Sequence, residues 1–96
     1  NITNAETDIQ KFAAHFGKNG KFLLSALYHF GIKETIDFFH KNQLKTKIER
    51  GGRIFTESDK AKDVLELFLR LIKNNGITLL TNCKIRKIIH KQNGVR

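Results

Sequence analysis

The chain has 96 residues, of which 40% are hydrophobic, and its 18 Lys and Arg against 9 Asp and Glu give a net charge of +9. This length suits one small domain, and the apolar content together with 28% charged residues argues against an intrinsically disordered chain. A single cysteine excludes an internal disulfide framework and fits a reducing compartment, and no apolar stretch is long enough to span a membrane. No secretory leader opens the sequence and no methionine begins it, so we predict a cytoplasmic protein and a piece of a longer chain.

Residues 1–44 are predicted to form the helical part of the chain, after a polar, turn-like start. A first helix is capped by Thr7 or Asp8 and continues to Phe16, because its apolar residues recur at helical spacing. The glycine-containing run Gly17–Gly20 then gives a loop signal that ends this helix.

Two further helices are predicted before residue 44. The run 22–30 is apolar almost all round, which predicts a buried helix with Gly31 at its C′ position. A third helix covers 33–42. Ile32, Ile36 and Phe39 are predicted to face inward. Asp37 and Lys41 are predicted to form an ion pair on the outer face.

The pattern changes to short extended runs at residue 45. Lys45–Glu49 and Arg53–Phe55 flank Gly51 and Gly52, and this arrangement predicts a β-hairpin. Residues 45–96 are therefore predicted to hold the hairpin, a further helix and strands.

The strongest helix signal covers Asp59–Asn75. Ser58 is its predicted N-cap, and Gly76 is predicted to end it. Glu66 and Arg70 are expected to pair on its outer face. The predicted buried stripe consists of Ala61, Val64, Leu65, Phe68, Leu71 and Ile72.

Two strands are predicted after this helix. Ile77–Thr81 is a compact apolar run of strand length, and Ile85–His90 follows it with a turn signal at Asn93-Gly94. The predicted class is α+β: three N-terminal helices, a short β-hairpin, then a long amphipathic helix that leads into β-strands. The apolar strand Ile77–Thr81 has no parallel neighbours in this chain, so we also predict self-association through its exposed edge.

The positive charge lies in the second half of the chain. Residues 1–40 sum to zero, and residues 41–96 carry all of the +9. A basic surface of this kind suits a phosphate-bearing partner, so a small basic nucleic-acid-binding module is an open alternative. It is the weaker alternative, because the chain has no zinc, helix-turn-helix or aromatic ribonucleoprotein signature.

Several stretches carry a family resemblance. Asn1–Asn4 resembles the end of the Gly-Gly-Gly-Arg-Cys-Asn-x-Thr-Asn motif of the bacterial FAD-binding oxidoreductases of the aminoacetone oxidase type, a family that includes a bile-acid reductase. Phe22–Phe30 followed by Thr35–Phe39 is similar to the next two helices of that family. Glu49–Phe55 and Ser58–Ala61 are similar to its following signature. The resemblance extends over the whole chain and departs at Thr56, where the family usually has Pro.

The resemblance implies that this chain is an internal segment of an FAD-dependent oxidoreductase, in which residues 45–96 belong to the junction between the FAD domain and the substrate domain. The Gly-x-Gly-x-x-Gly turn that receives the pyrophosphate is expected upstream of Asn1, because none of the seven glycines forms it. The segment alone is therefore expected to be inactive and to bind no FAD. In the longer protein, FAD and a small-molecule substrate are the implied partners. No membrane partner is implied.

The resemblance also implies which residues lie near the cofactor. Asn1 and Asn4 would direct side-chain amides at polar edges of the flavin, and Ile85 would present its backbone to the adenine edge. Arg50, Arg53 and Ser58 are candidate residues facing the substrate or the cofactor, since guanidinium groups suit carboxylates and phosphates. Without a ligand, Asn1 and Asn4 would be ordinary turn residues, Ile85 a strand residue and Ser58 a helix cap. Arg50 and Arg53 would be hairpin residues, with Arg53 pairing with Glu49 or Glu57.

No metal site or catalytic residue is predicted. The four histidines and Cys83 have no ligand spacing, and no neighbouring base that would activate Cys83 is apparent. The serines lie in no nucleophile elbow.

Overall fold

The computed structural model describes residues 1–91 together with the backbone of Gly94 and Val95. Within these residues it contains four α-helices and a three-stranded antiparallel sheet, so the predicted α+β class is confirmed. The helices are α1 (Ile9–Ala14), α2 (Gly20–His29), α3 (Ile32–Lys41) and α4 (Ala61–Asn74). The strands are β1 (Thr3–Asn4), β2 (Thr46–Glu49), β3 (Arg53–Thr56), β4 (His90–Lys91) and β5 (Gly94–Val95).

The sheet has the order β1-β3-β2, with β3 at its centre. The predicted hairpin is confirmed, because β2 and β3 pair through the turn at Arg50–Gly52. The polar start of the chain is a strand, and the prediction of a turn there is wrong. The Ile2 N–H donates to the Ile54 carbonyl and the Ala5 N–H donates to the Gly52 carbonyl, each at 2.7 Å. These bonds satisfy backbone groups of β3 on the side that does not face β2.

The first helix starts as predicted and ends two residues early. The Asp8 carboxylate accepts a hydrogen bond from the Lys11 N–H at 3.0 Å, which is the geometry of an N-cap. Phe16 lies beyond the helix and is 49% exposed. Helix α1 packs closely on α2, since a Cβ at Gly20 would lie 2.0 Å from the Ala13 carbonyl oxygen.

The prediction that α2 is buried is wrong. Phe22 is 88% exposed and Tyr28 is 59% exposed, because α1 covers one side of α2 and an all-apolar helix needs partners on every side. Gly31 lies at the predicted C′ position, one residue after the C-cap Phe30, but it also begins the next helix. It has an extended backbone and is the N-cap of α3, where its N–H donates to Glu34 Oε1 at 2.8 Å.

Helix α3 agrees with its predicted span to within one residue at each end. Ile32 and Phe39 are buried as expected, and Ile36 is half-buried. Among the described side chains, the predicted ion pair between Asp37 and Lys41 does not form. The apolar side of the helix, rather than a charge pair outside it, therefore holds α3 in place.

Helix α4 begins two residues later than predicted. Asp59 has a φ of +62°, which an α-helix cannot include, so Lys60 is the N-cap and the prediction for Ser58 is wrong. The end is as predicted. Gly76 has a φ of +64°, and the N–H groups of Gly76 and Ile77 donate to the Lys73 and Ile72 carbonyls, the pattern of a Schellman motif.

The buried face of α4 is centred on a residue that the predicted stripe omits. Leu67 is 2% exposed, and Val64 and Leu71 beside it are half-buried. Leu65 and Phe68, which the prediction placed inward, are 57% and 42% exposed. The predicted Glu66–Arg70 pair is also wrong: Glu66 pairs with Lys62 at 3.6 Å, and Arg70 donates to the Asn42 carbonyl at 2.9 Å.

The two predicted strands after α4 are largely absent from the described residues. Residues 77–89 contain no helix or strand, and Leu80 is 73% exposed. Pairing begins at His90–Lys91, which is antiparallel to Gly94–Val95. The turn predicted at Asn93-Gly94 falls partly outside the described residues. A strand needs a neighbour for its N–H and C=O groups, and the described part of the chain provides none to Ile77–Thr81.

Candidate functional site

The turn between β2 and β3 has a side chain from the start of the chain packed against it. The Asn4 amide lies beside Gly51 and Gly52, where its Nδ2 donates to the Gly51 carbonyl at 3.4 Å. Its Oδ1 accepts a bond from the Glu6 N–H at 2.9 Å. Both glycines have a positive φ, +76° and +73°, a conformation that residues with a Cβ rarely adopt. The turn therefore needs glycine, and it holds the Asn4 amide in one orientation.

The two arginines that flank this turn lie at its rim. The Arg53 Nε donates to the Arg50 carbonyl at 3.0 Å, and its guanidinium carbon lies 5.8 Å from the centre of the Phe55 ring. Among the described residues, Arg53 forms no ion pair with Glu49 or Glu57, so those two alternative roles are excluded there. Both arginines are exposed. Asn4, Arg50 and Arg53 thus lie around one turn, with Asn4 opposite Arg53 in the sheet register, and we call these three residues the hairpin site.

Asn1 lies elsewhere. It lines a groove of 730 Å³ together with Phe55, Thr56 and Asp59 on one side and apolar residues of α3 and α4 on the other. Asn1 precedes the two-residue strand β1, so about 10 Å of extended chain separates it from Asn4. Asn1 therefore lies before the start of β1 and away from the turn, and only Asn4 belongs to the hairpin site.

The groove continues into a second hollow of 430 Å³ that shares three of its lining residues, Ile2, Phe39 and Phe68. The ring of Phe68 lies 6.0 Å from those of both Phe38 and Phe39, so aromatic rings form most of its floor. The polar residues that line the groove are Asn1, Thr56 and Asp59, and Thr35 of α3 lines the second hollow.

The loop between β3 and α4 holds the next candidate, Ser58. Its hydroxyl donates to Asp63 Oδ2 and accepts a bond from the Lys60 N–H at 3.3 Å. These bonds give Ser58 a structural role in the loop, at the opposite end of β3 from the hairpin site. Ser58 is therefore not brought together with Asn4, Arg50 and Arg53.

Asp59 is a residue of this loop that the sequence reasoning missed. It lines the groove, and its carboxylate accepts a bond from Lys47 Nζ at 2.7 Å. The hydrogen bond to Asp59 raises the pKa of Lys47 above its ordinary value of 10.5. The one available signal was the residue type, since Asp tolerates a left-handed backbone better than most residues.

Ile85 lies neither at the hairpin site nor along the groove. It is 81% exposed, within the segment that contains no helix or strand. Cys83 is also exposed. Among the described residues, no three His, Cys, Asp or Glu side chains lie close enough together to hold a metal ion. None of the described helices is long and apolar enough to cross a membrane.

Comparison with known proteins identifies the family. A family model described as the HI0933-like protein Rossmann domain matches residues 1–96. The chain therefore belongs to the HI0933-like family of Rossmann-domain proteins. It is similar to a 3-dehydro-bile acid delta(4,6)-reductase of Clostridium scindens, with 32% identity over 88 residues. The alignment covers 92% of this chain and 20% of the reductase, so the chain spans about one fifth of that relative's length. These findings confirm the family resemblance.

Proposed function

We propose that this chain is a segment of an FAD-dependent oxidoreductase and that its hairpin site faces the flavin. The observation that carries the proposal is the family match over residues 1–96, joined to a similar protein whose name is that of a reductase. When bound, the flavin would supply the redox chemistry, and the protein would bind and orient it. The substrate would be a small molecule.

The hairpin site fits the polar edge of a flavin. The Asn4 Nδ2 carries two N–H groups, and among the described residues one of them has no acceptor, while the other makes a long bond of 3.4 Å. Such a donor suits the ring oxygens and nitrogens at the edge of an isoalloxazine. Asn4 is half-buried, so its orientation is fixed while one side stays accessible. Asn1 could contact the same ligand only if that ligand extended about 10 Å from Asn4.

The pyrophosphate of FAD needs a different element. Dinucleotides place it at a helix N-terminus after a glycine-rich turn, and residues 1–96 have no such fingerprint. The antiparallel sheet of this chain is also not the parallel sheet of a Rossmann domain. We therefore propose that FAD binds only to a longer protein, in which Ile77–Thr81 pairs with parallel strands and Ile85 lies near the adenine. We expect the 96-residue chain alone to be non-catalytic.

Arg53 is the residue of this chain that we propose to face the substrate. Its Nε is engaged by the Arg50 carbonyl, but its terminal nitrogens have no acceptor among the described residues, and they can form a fork to a carboxylate or phosphate. In the longer protein, Arg53→Ala should raise KM for an anionic substrate, and Arg53→Lys should rescue little of that loss, because lysine lacks the planar fork. An unchanged KM and turnover in Arg53→Ala would remove Arg53 from the site.

The experiment that tests the proposed function is the visible absorption spectrum of the longer protein as purified. The 96-residue chain with added FAD is measured beside it. We expect a bound oxidised flavin in the longer protein and none in the shorter chain. No flavin in either protein would refute the proposal.

A basic nucleic-acid-binding module is the second candidate. The observation that favours it is the exposure of Lys84, Arg86 and Lys87 in the segment after α4. Binding to DNA or RNA that weakens steeply with salt, in a protein without flavin, would support this alternative. Binding that does not depend on salt would exclude it.

A further inference from the structure

The two glycines of the hairpin turn differ in what surrounds them. A Cβ built at Gly51 would meet nothing within 4 Å, whereas one built at Gly52 would lie 3.3 Å from Asn4 Oδ1, 3.6 Å from Nδ2 and 3.7 Å from Cγ. Both residues have the same left-handed backbone. Gly51 therefore serves the shape of the turn alone, while Gly52 also leaves the space that the Asn4 amide occupies.

The Asn4 amide is fixed from several directions. The Glu6 N–H can only donate, so it selects the oxygen of the amide, Oδ1, as its partner and turns Nδ2 toward the Gly51 carbonyl. The backbone is fixed as well, because Asn4 lies opposite Arg53 in the β1–β3 register and the next N–H, that of Ala5, donates to the Gly52 carbonyl at 2.7 Å. A shift at Gly52 would therefore reach the amide directly.

We propose that Gly52 is a positioning residue that sets the Asn4 amide for the flavin. This inference rests on the proposed function. The bond from Nδ2 to the Gly51 carbonyl is already 3.4 Å long, so it lies near the limit of a hydrogen bond. A methyl group 3.3 Å from Oδ1 moves the amide by a few tenths of an ångström, which breaks this bond and misdirects the free N–H. Gly52 itself touches no ligand; it acts through Asn4.

The test uses the longer flavin-binding protein and its affinity for FAD, measured by titrating the apoprotein and following flavin fluorescence. We expect Gly52→Ala to weaken FAD binding by about three- to tenfold, the worth of one hydrogen bond. The matched control is Gly17→Ala. Gly17 has a φ of +62° and open space where a Cβ would lie, so this variant carries the same backbone strain without touching Asn4. It should keep the FAD affinity of the unmodified protein.

A double-mutant cycle separates positioning from general destabilisation. Asn4→Ala should lose as much FAD affinity as Gly52→Ala, and the double variant should lose no more than Asn4→Ala alone, because the two residues act as one. Additive losses of FAD affinity, or equal FAD affinities for Gly52→Ala and Gly17→Ala, would overturn this inference and leave the proposed function standing. A longer protein that binds no flavin would overturn the proposed function and this inference with it.

The cycle remains decisive if Gly52→Ala does not fold. In that case Asn4→Gly combined with Gly52→Ala removes the side chain that the new methyl group meets. Recovery of folded protein, measured by thermal unfolding, would support the coupling. Failure of the double variant to fold would show that Gly52 is needed for the backbone alone and would overturn the inference.

Discussion

Ile54 and Ile48 form a natural pair of sites for testing where the core lies. They face each other across β3 and β2 in the sheet register, yet Ile54 is 2% exposed and Ile48 is 67% exposed. Substituting valine removes the same methylene from each. A fully buried methylene contributes about 0.8 kcal/mol to the free energy of unfolding. Ile54→Val also leaves a cavity, so we expect it to lower that free energy by about 1 kcal/mol.

The substitution Ile48→Val should lower the free energy of unfolding far less. Scaled by its exposure, the same change at Ile48 removes about 0.3 kcal/mol. The assay is thermal and urea unfolding of the 96-residue chain followed by far-ultraviolet circular dichroism. A loss of 1 kcal/mol lowers the midpoint of thermal unfolding by about 4–8 °C in a chain of this size. Equal shifts for Ile54→Val and Ile48→Val would refute the placement of Ile54 in the core and of Ile48 outside it.

Two further predictions follow from exposed features. Asp59→Asn should return the pKa of Lys47 toward 10.5, as measured by an NMR titration of its Nζ group, because the hydrogen bond to Asp59 raises that pKa. In the unmodified chain, the contribution of this pair to stability is present at neutral pH and is lost as the pH rises through the raised pKa of Lys47. The chain should also self-associate through Ile77–Thr81, and Leu80→Lys should abolish this in sedimentation equilibrium. A clean monomer of the unmodified chain at high concentration would contradict that prediction.

Local signals in the sequence were sufficient for the hairpin and for most helix boundaries. Gly51 and Gly52 carry the positive φ values that the turn needs, and Asp8 and Gly76 carry out the capping that their residue types predict. In each case the determining interactions lie within a few residues along the chain. Such signals can therefore be read without knowing the fold.

Burial and the site depend on contacts that no local pattern encodes. The apolar pattern of α2 describes what the helix can bury, but its actual burial depends on partners, and α1 covers one side. The prediction for Ile77–Thr81 failed for the same reason, since strand composition does not provide a neighbouring strand. The hairpin site joins Asn4 to Gly51 across 47 positions, so the sequence could nominate these residues but could not show that they touch.

The segment after α4 has a consequence for how proteases meet this chain. Helices and paired strands resist proteases because a protease binds extended backbone, and residues 77–89 lack both kinds of structure. This stretch also presents exposed Lys84, Arg86 and Lys87, the residue types after which trypsin cleaves. Limited digestion should therefore cut here first and release a product that keeps α1 to α4 and the three-stranded sheet. The size of that product on a gel would therefore locate the end of the packed part of the chain.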